Sequence, residues 1–283
     1  MILIADSGST KTKWALIQPG GVASFIKTDG INPFFRNVED ISVELKGALL
    51  PQINGEVSAV KFYGAGIINS SKGARIKILL QDLFPYANIE TRSDLLAAAR
   101  ATCGNQQGIA CILGTGSNSC QYDGEKITEH VSPLGFILGD EGSGAVMGRI
   151  LLGDYLKKRM PEGLRNKFST SYGLTRTDIL ESVYRKERPN LFLAGFTKFI
   201  YKNIQVEYCR QLVHQSFDSF ISRNLLNYTG YKSLPVHFTG SVAYYFQDIL
   251  RKALTKHSLN CGIILQEPME GLIRYHSGNN AGY

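Results

Sequence analysis

Three times along the chain an extended apolar run breaks into a turn of small, hydroxyl-bearing residues. Ile2-Leu3-Ile4-Ala5 gives way to Asp6-Ser7-Gly8-Ser9-Thr10-Lys11, Ile109-Ala110-Cys111-Ile112-Leu113 to Gly114-Thr115-Gly116-Ser117-Asn118, and Val236-His237-Phe238-Thr239 to Gly240-Ser241. Glycine allows positive φ and close backbone approach, and Ser and Thr add donors, so the N–H groups of such turns form anion-binding concavities. Two of them facing each other suffice to hold a polyphosphate. Each alone is equally a turn satisfying hairpin geometry. No GxxxxGK[ST] is present and no GxGxxG follows a strand and opens a helix, so neither familiar phosphate motif applies.

Around these turns the pattern alternates. Residues 2–17 read as two extended segments joined by the first turn, a hairpin rather than a strand and helix. A strand follows near 22–27, a helix over 38–50, a strand at 59–63 and a helix over 73–83 stopped by Pro85. Residues 89–92 are extended, and Ser93-Asp94 opens an Ala- and Leu-rich helix over 95–102. The polar run 104–108 reads as a linker. Asp123-Gly124 marks a type I′ hairpin within 118–127. Residues 145–228 are helix-rich, 262–265 extended, and 268–275 helical. At 283 residues the chain exceeds what one core usually serves. Two related α/β domains are expected, at 1–106 and 107–283, with the last helix able to pack back on the first.

The net charge of +7 is scattered. Its densest cluster, Lys157-Lys158-Arg159 with Arg165 and Lys167, surrounds a Pro161-Glu162-Gly163 turn without interleaved aromatics. That is a solvated helical face rather than a nucleic-acid footprint, and it suits an anionic nucleotide equally. No apolar run reaches 18 residues and no signal-like N-terminus is present, so no membrane partner and a cytoplasmic location are expected. Cys103, Cys111, Cys120, Cys209 and Cys261 lack zinc-type spacing and are odd in number, which implies reduced, mostly buried thiols. The five histidines have no ligand-like spacing and read as ordinary surface or core residues.

Carboxylates accompany the turns. Asp6 ends an apolar strand, where it either caps the turn or ligates a cation beside phosphates. Asp94 stands where a strand gives way to a helix, as an N-cap, a cleft-facing group, or both. Asp140 and Glu141 lie among glycines in Leu138-Gly139-Asp140-Glu141-Gly142-Ser143-Gly144, where compensation of a helix dipole alone would explain them.

Together with Thr239-Gly240-Ser241-Val242-Ala243, these segments resemble, in order and over essentially the whole chain, the N-acetylglucosamine kinase branch of the BadF/BadG-type ATPase family. That family lies within the superfamily of actin, sugar kinases and heat-shock chaperone ATPases. The resemblance implies two ribonuclease-H-like (actin-like ATPase) domains closing on a nucleotide cleft, with ATP and Mg²⁺ as cofactors and a homodimer as assembly. It implies that Ser7, Gly8, Ser9, Thr10 and Lys11 form the first phosphate loop, Gly114, Thr115, Gly116 and Ser117 the second, and Gly240 and Ser241 the adenosine loop. It further implies Asp94 as catalytic base, Asp6 as the Mg²⁺ ligand, and Asn32, Asn118 and Asp140 as sugar contacts.

Departures from the family pattern are Ser7 and Ser9 in place of two glycines, and Pro133-Leu134-Gly135-Phe136 where aromatic and histidine residues often precede Leu-Gly-Asp-Glu-Gly. The zinc-binding cysteines of the bacterial repressor and sugar kinase branch are absent. The expected reaction is phosphorylation of N-acetylglucosamine or a close amino sugar at its 6-hydroxyl. Two other readings are an ATPase activator of CoA-ester reductases or dehydratases, which needs surface cysteines for an iron–sulfur cluster, and a sugar sensor without turnover.

Overall fold

A computed structural model describes residues 1–8, 11–18, 20–21, 23–32, 36–67 and 70–278. Ser9 and Thr10 lie outside the described residues. The chain divides into two units, residues 1–106 with 268–283, and residues 107–267.

In the first unit β1 (Ile2–Ser7), β2 (Lys11–Ile17), β3 (Ala23–Asp29), β4 (Ala59–Gly64) and β5 (Asn88–Ser93) form one sheet in the order β3-β2-β1-β4-β5. The first three pair antiparallel; β1, β4 and β5 pair parallel. Helix α1 (Val38–Glu44) lies between β3 and β4, α2 (Ser70–Leu83) between β4 and β5, and α3 (Asp94–Cys103) follows β5. The single helix expected over 38–50 is α1 followed by a wider turn at Leu45–Leu49 and a tight one at Leu50–Gln52. Pro51, which has no N–H to donate, sits in that last turn. Leu3, Trp14, Leu16, Val60 and Phe62 fill the core. Trp14 is fully buried and donates its indole N–H to Thr28 Oγ1 at 2.9 Å.

The second unit repeats the arrangement. β6 (Gly108–Leu113), β7 (Ser117–Tyr122) and β8 (Ile127–Val131) form an antiparallel meander. Then come α4 (Gly135–Leu138), α5 (Gly144–Leu156), α6 (Glu162–Tyr172), α7 (Arg176–Tyr184), α8 (Pro189–Ala194), α9 (Thr197–Lys202) and α10 (Glu207–Arg223). β9 (Pro235–Thr239), α11 (Ser241–Tyr245), α12 (Gln247–Lys256) and β10 (Asn260–Leu265) complete it, in sheet order β10-β9-β6-β7-β8. β9 lies parallel to β6 and to β10, so β6 to β10 reproduce the pairing of β1 to β5. The β7–β8 turn is longer than the two-residue type expected. Asp123 N–H donates to Lys126 O, and Asp123 Oδ1 accepts from the N–H groups of Glu125 and Lys126, so the side chain closes a four-residue loop.

The last helix, α13 (Met269–His276), belongs to the first unit, where it packs on α3 and over β1 and β2. A β-carbon at Gly271 would stand 2.2 Å from Ala101 O, so the two helices cross at a distance only glycine permits. A polar network holds the end of α13. Arg100 donates to the Tyr63 hydroxyl at 2.7 Å, and that hydroxyl lies 2.8 Å from His276 Nε2. Burial pushes Tyr63 up to about 12 and, helped by the Lys61 and Arg100 charges, His276 down to about 4. The two groups therefore share a hydrogen bond as neutral phenol and neutral imidazole.

Arg100 also meets Glu90 at 3.1 Å, which binds Lys61 at 3.0 Å and Arg92 at 2.9 Å. Desolvation opposes ionisation of Glu90, but the Lys61 hydrogen bond and the Arg100 charge outweigh it and hold the carboxyl at about 2. This depressed value stabilises the fold above about pH 4.5 and is lost as pH falls towards 2. Glu90→Gln should cost about 2 kcal/mol at pH 7. Urea denaturation should show the gap from wild type narrowing at pH 3.

Candidate functional site

The residues expected in the site fall into two sets, one per unit. In the first, the β1–β2 ladder pairs Asp6 with Lys13 and Ser7 with Thr12, and Gly8 N–H donates to Lys11 O at 3.0 Å. This bond joins the two strands beyond the last ladder pair. Gly8 and Lys11 are exposed, and Asp6 is half-buried at the strand end.

Ser7 is placed differently from the expectation that it donates to phosphate. Its side chain is buried, and its Oγ lies 2.7 Å from Thr12 Oγ1 and accepts Ile31 N–H at 2.9 Å. Thr12 Oγ1 in turn donates to Asp29 O at 2.9 Å. These bonds brace the segment leading to Asn32, itself buried. The same segment is held from its other side: Glu44 accepts Asp29 N–H at 2.6 Å and pairs with Arg36 at 2.7 Å, and Arg36 donates to Gly30 O at 3.3 Å.

The structure corrects the capping role considered for Asp94. Ser93 is the N-cap of α3, accepting Leu96 N–H at 3.2 Å, and Asp94 is the first helical residue. The Asp94 carboxyl is only partly exposed. Desolvation, opposed by the N–H groups of Leu95 and Asp94 itself, raises it to about 6.

In the second unit, Gly114-Thr115-Gly116 turns β6 into β7, with Gly114 N–H bonded to Gly116 O at 2.9 Å. Its carbonyls anchor α5: Gly144 N–H donates to Gly114 O at 2.8 Å and Ala145 N–H to Thr115 O at 3.0 Å. Asp140 has φ 54°, a left-handed conformation that Asp tolerates better than most residues. Its Oδ1 accepts Ser117 N–H at 3.4 Å, and a β-carbon on Gly116 would lie 3.1 Å from Oδ2.

Burial raises Asp140 to about 6, the Ser117 N–H opposing and Glu141 adding to the rise. Glu141 faces elsewhere, 3.4 Å from Arg223, beside a separate cavity of roughly 370 Å³. Asn118 Oδ1 accepts Ser119 N–H at 3.0 Å and lies 2.9 Å from His130 Nε2. His130, read as an ordinary residue from spacing, is therefore a neighbour of a predicted sugar contact.

Gly240 follows β9 with φ 114°, and a β-carbon there would stand 2.3 Å from Leu113 O. The expected adenosine loop therefore touches the end of β6, just before the Gly114 turn. Ser241 lines a cavity of roughly 280 Å³ with Lys198, Tyr201, Lys202, Tyr245 and Phe246. Tyr201 meets Tyr245 and Phe246 edge-on, with centroids 5.4 and 5.7 Å away. Sequence reasoning missed Lys198, Tyr201 and Lys202, because α9 reaches Ser241 only through the fold.

Two units of one topology, each with a small-residue hairpin turn at the end of its central strand, define the actin-like fold of sugar kinases. A candidate N-acetylglucosamine kinase of Porphyromonas gingivalis is 49% identical, with TM-score 0.93 over 99% of this chain and 100% of its own. The chain belongs to that protein's family, the N-acetylglucosamine kinase-type sugar kinases. A candidate N-acetylglucosamine kinase of Chromobacterium violaceum shares the fold at 18% identity and TM-score 0.73, over 97% of this chain and 98% of its own. So does a ROK family glucokinase of Streptomyces griseus in complex with glucose and AMPPNP, at 15% identity and TM-score 0.55, over 97% and 98%. Neither a protein-family model nor a curated protein matches the chain.

Because Gly240 combines a positive φ with backbone contact, Gly240→Ala should cost about 3 kcal/mol or more. Thermal melting against wild type should register this as a drop of several degrees or loss of soluble protein.

Proposed function

We propose that the chain transfers the γ-phosphoryl group of ATP to N-acetylglucosamine, or a close amino sugar, at the 6-hydroxyl. The observation that carries this reading is Asp94: a carboxylate at a strand-to-helix junction, relieved of capping by Ser93, with its pKa raised to about 6. Such a group is ionised at neutral pH yet basic enough to take a proton in the transition state. The 49% identical relative supports the substrate class. Order among the motifs favours the BadF/BadG-type branch within the sugar kinases.

In the reaction the sugar 6-oxygen bonds to the γ-phosphorus as the bond from phosphorus to the β–γ bridging oxygen breaks. ADP leaves with that electron pair, and the hydroxyl proton passes to Asp94. Asn32, Asn118 and Asp140 hold the sugar. The hairpin at Gly8, Ser9, Thr10 and Lys11 and the turn at Gly114, Thr115, Gly116 and Ser117 bind phosphates. A β-carbon at Gly114 would meet nothing within 4 Å, which leaves its backbone open to a close anion.

Among the described residues no three His, Cys, Asp or Glu side chains gather as a metal cage. That suits Mg²⁺ bound through one carboxylate, Asp6, together with substrate oxygens. When bound it neutralises charge on the transferring group. Gly240 and Ser241 with the Tyr201, Tyr245 and Phe246 cavity take the adenosine. A cytoplasmic homodimer completes the reading; no helix among the described residues is long and apolar enough to cross a membrane. The activator reading is disfavoured because Cys103, Cys111, Cys120 and Cys209 are buried.

A coupled ADP-release assay with Mg-ATP and a panel of amino sugars and hexoses tests the proposal. Turnover should depend on an amino sugar, and Asp94→Asn should lower kcat by about 10² to 10⁴; sugar-independent ADP release, or full activity of Asp94→Asn, overturns it. With Asp94 and Asp140 both near 6, kcat/KM should fall below about pH 6 more steeply than one proton allows. The same titration on Asp140→Asn should return the acid limb to a single ionisation. For the adenine cavity, Tyr201→Ala should raise KM for ATP about tenfold while kcat stays within about twofold of wild type.

A further inference from the structure

Ser7 and Thr12 form a buried hydroxyl relay between the hairpin and the segment before Asn32. Ile31 N–H donates to Ser7 Oγ at 2.9 Å, Ser7 Oγ lies 2.7 Å from Thr12 Oγ1 and 3.2 Å from Ile31 O, and the Thr12 hydroxyl donates to Asp29 O at 2.9 Å. The relay begins and ends on the segment that leads into Asn32, and both its hydroxyls sit on the two residues that close the β1–β2 hairpin. Ser7 and Thr12 are 1% and 0% exposed, so water cannot replace a broken link, and a lost partner leaves a buried polar group unsatisfied. The hairpin and the segment before Asn32 therefore move as one body.

We propose that Ser7 is a positioning residue that couples the nucleotide hairpin to the sugar segment, so that the two substrates bind co-operatively. The proposal rests on the kinase reading, in which the hairpin meets phosphate and Asn32 meets sugar. A ligand that fixes the position of Ser7 and Thr12 also fixes the segment before Asn32, and by linkage each ligand tightens the other by the same factor. The relay touches no reacting atom; it acts through Asn32.

Calorimetric titration of N-acetylglucosamine, with and without saturating Mg²⁺ and a non-hydrolysable ATP analogue, tests this on wild type, Ser7→Ala, Thr12→Val and Thr12→Ser. In wild type the nucleotide should tighten sugar binding about tenfold. Ser7→Ala and Thr12→Val should each reduce that factor to within about twofold and raise KM for sugar more than they lower kcat, while Thr12→Ser, which keeps the hydroxyl, should retain the coupling. Two independent breaks keep the test decisive if one variant folds poorly. Wild-type protein that binds both ligands without coupling, or a Ser7→Ala protein that keeps full coupling, overturns the proposal alone. Wild-type protein that binds neither ligand overturns the kinase reading with it.

Discussion

The parallel pairing of β1 with β4 and β4 with β5, repeated by β6, β9 and β10, fixes where the candidate residues stand. Parallel strands have their carboxyl ends on one edge of the sheet. In the first unit the chain leaves β1 at Gly8 and β5 at Asp94; in the second it leaves β6 at Gly114 and β9 at Gly240. Each sheet thus gathers its candidate residues along a single edge, the place where open α/β sheets bind ligands. Antiparallel β2 and β7 return the chain as tight turns, so backbone donors remain at that edge. Register follows from burial. Leu3, Ala5, Trp14 and Leu16 in one unit, and Ile109, Cys111 and Leu113 in the other, pack in the two main cores, and a slip of one residue would move them to the opposite face of the sheet.

Much of this was legible because its cause is local. Alternating apolar residues mark half-buried strands, and Gly, Ser and Thr mark the turns, so both hairpins and the repeated strand–turn–strand theme could be read from order alone. Side-chain direction inside a turn could not. Ser7 and Gly8 are adjacent small residues, yet strand alternation sends the Ser7 hydroxyl inward and leaves Gly8 at the exposed tip. At the Ser93-Asp94 step both residues cap helices well. The tie is decided by the sheet: Ser93 pairs with Gly64 as the last residue of β5, so Asp94 is already helical.

Contacts made only by the fold were invisible. Tyr201 reaches the Ser241 cavity across forty residues of chain, and His130 reaches Asn118 because β8 lies beside β7. α13 returns to the first unit through a crossing that Gly271 permits and a network that closes on Tyr63. A lone glycine and a lone histidine in a short helix carry no signal of either role. They acquire one only when Ala101 and Tyr63 stand opposite.

The two raised carboxyls share a cause. A carboxylate serving as an N-cap accepts backbone N–H bonds that favour its charged form and lower its pKa. At α3 and again at α5 a neutral serine takes that work: Ser93 accepts Leu96 N–H, and Ser143 accepts Val146 N–H at 3.2 Å. Asp94 follows the first cap and Asp140 precedes the second by three residues, so each stays near a helix N-terminus without being committed to it. Desolvation then becomes the largest influence on both, and both rise to about 6. An aspartate in place of Ser93 would set a second carboxylate beside Asp94 and raise it further by like-charge repulsion. Serine satisfies the helix, and each aspartate keeps only the backbone N–H partners that desolvation outweighs, Leu95 and Asp94 at the first and Ser117 at the second.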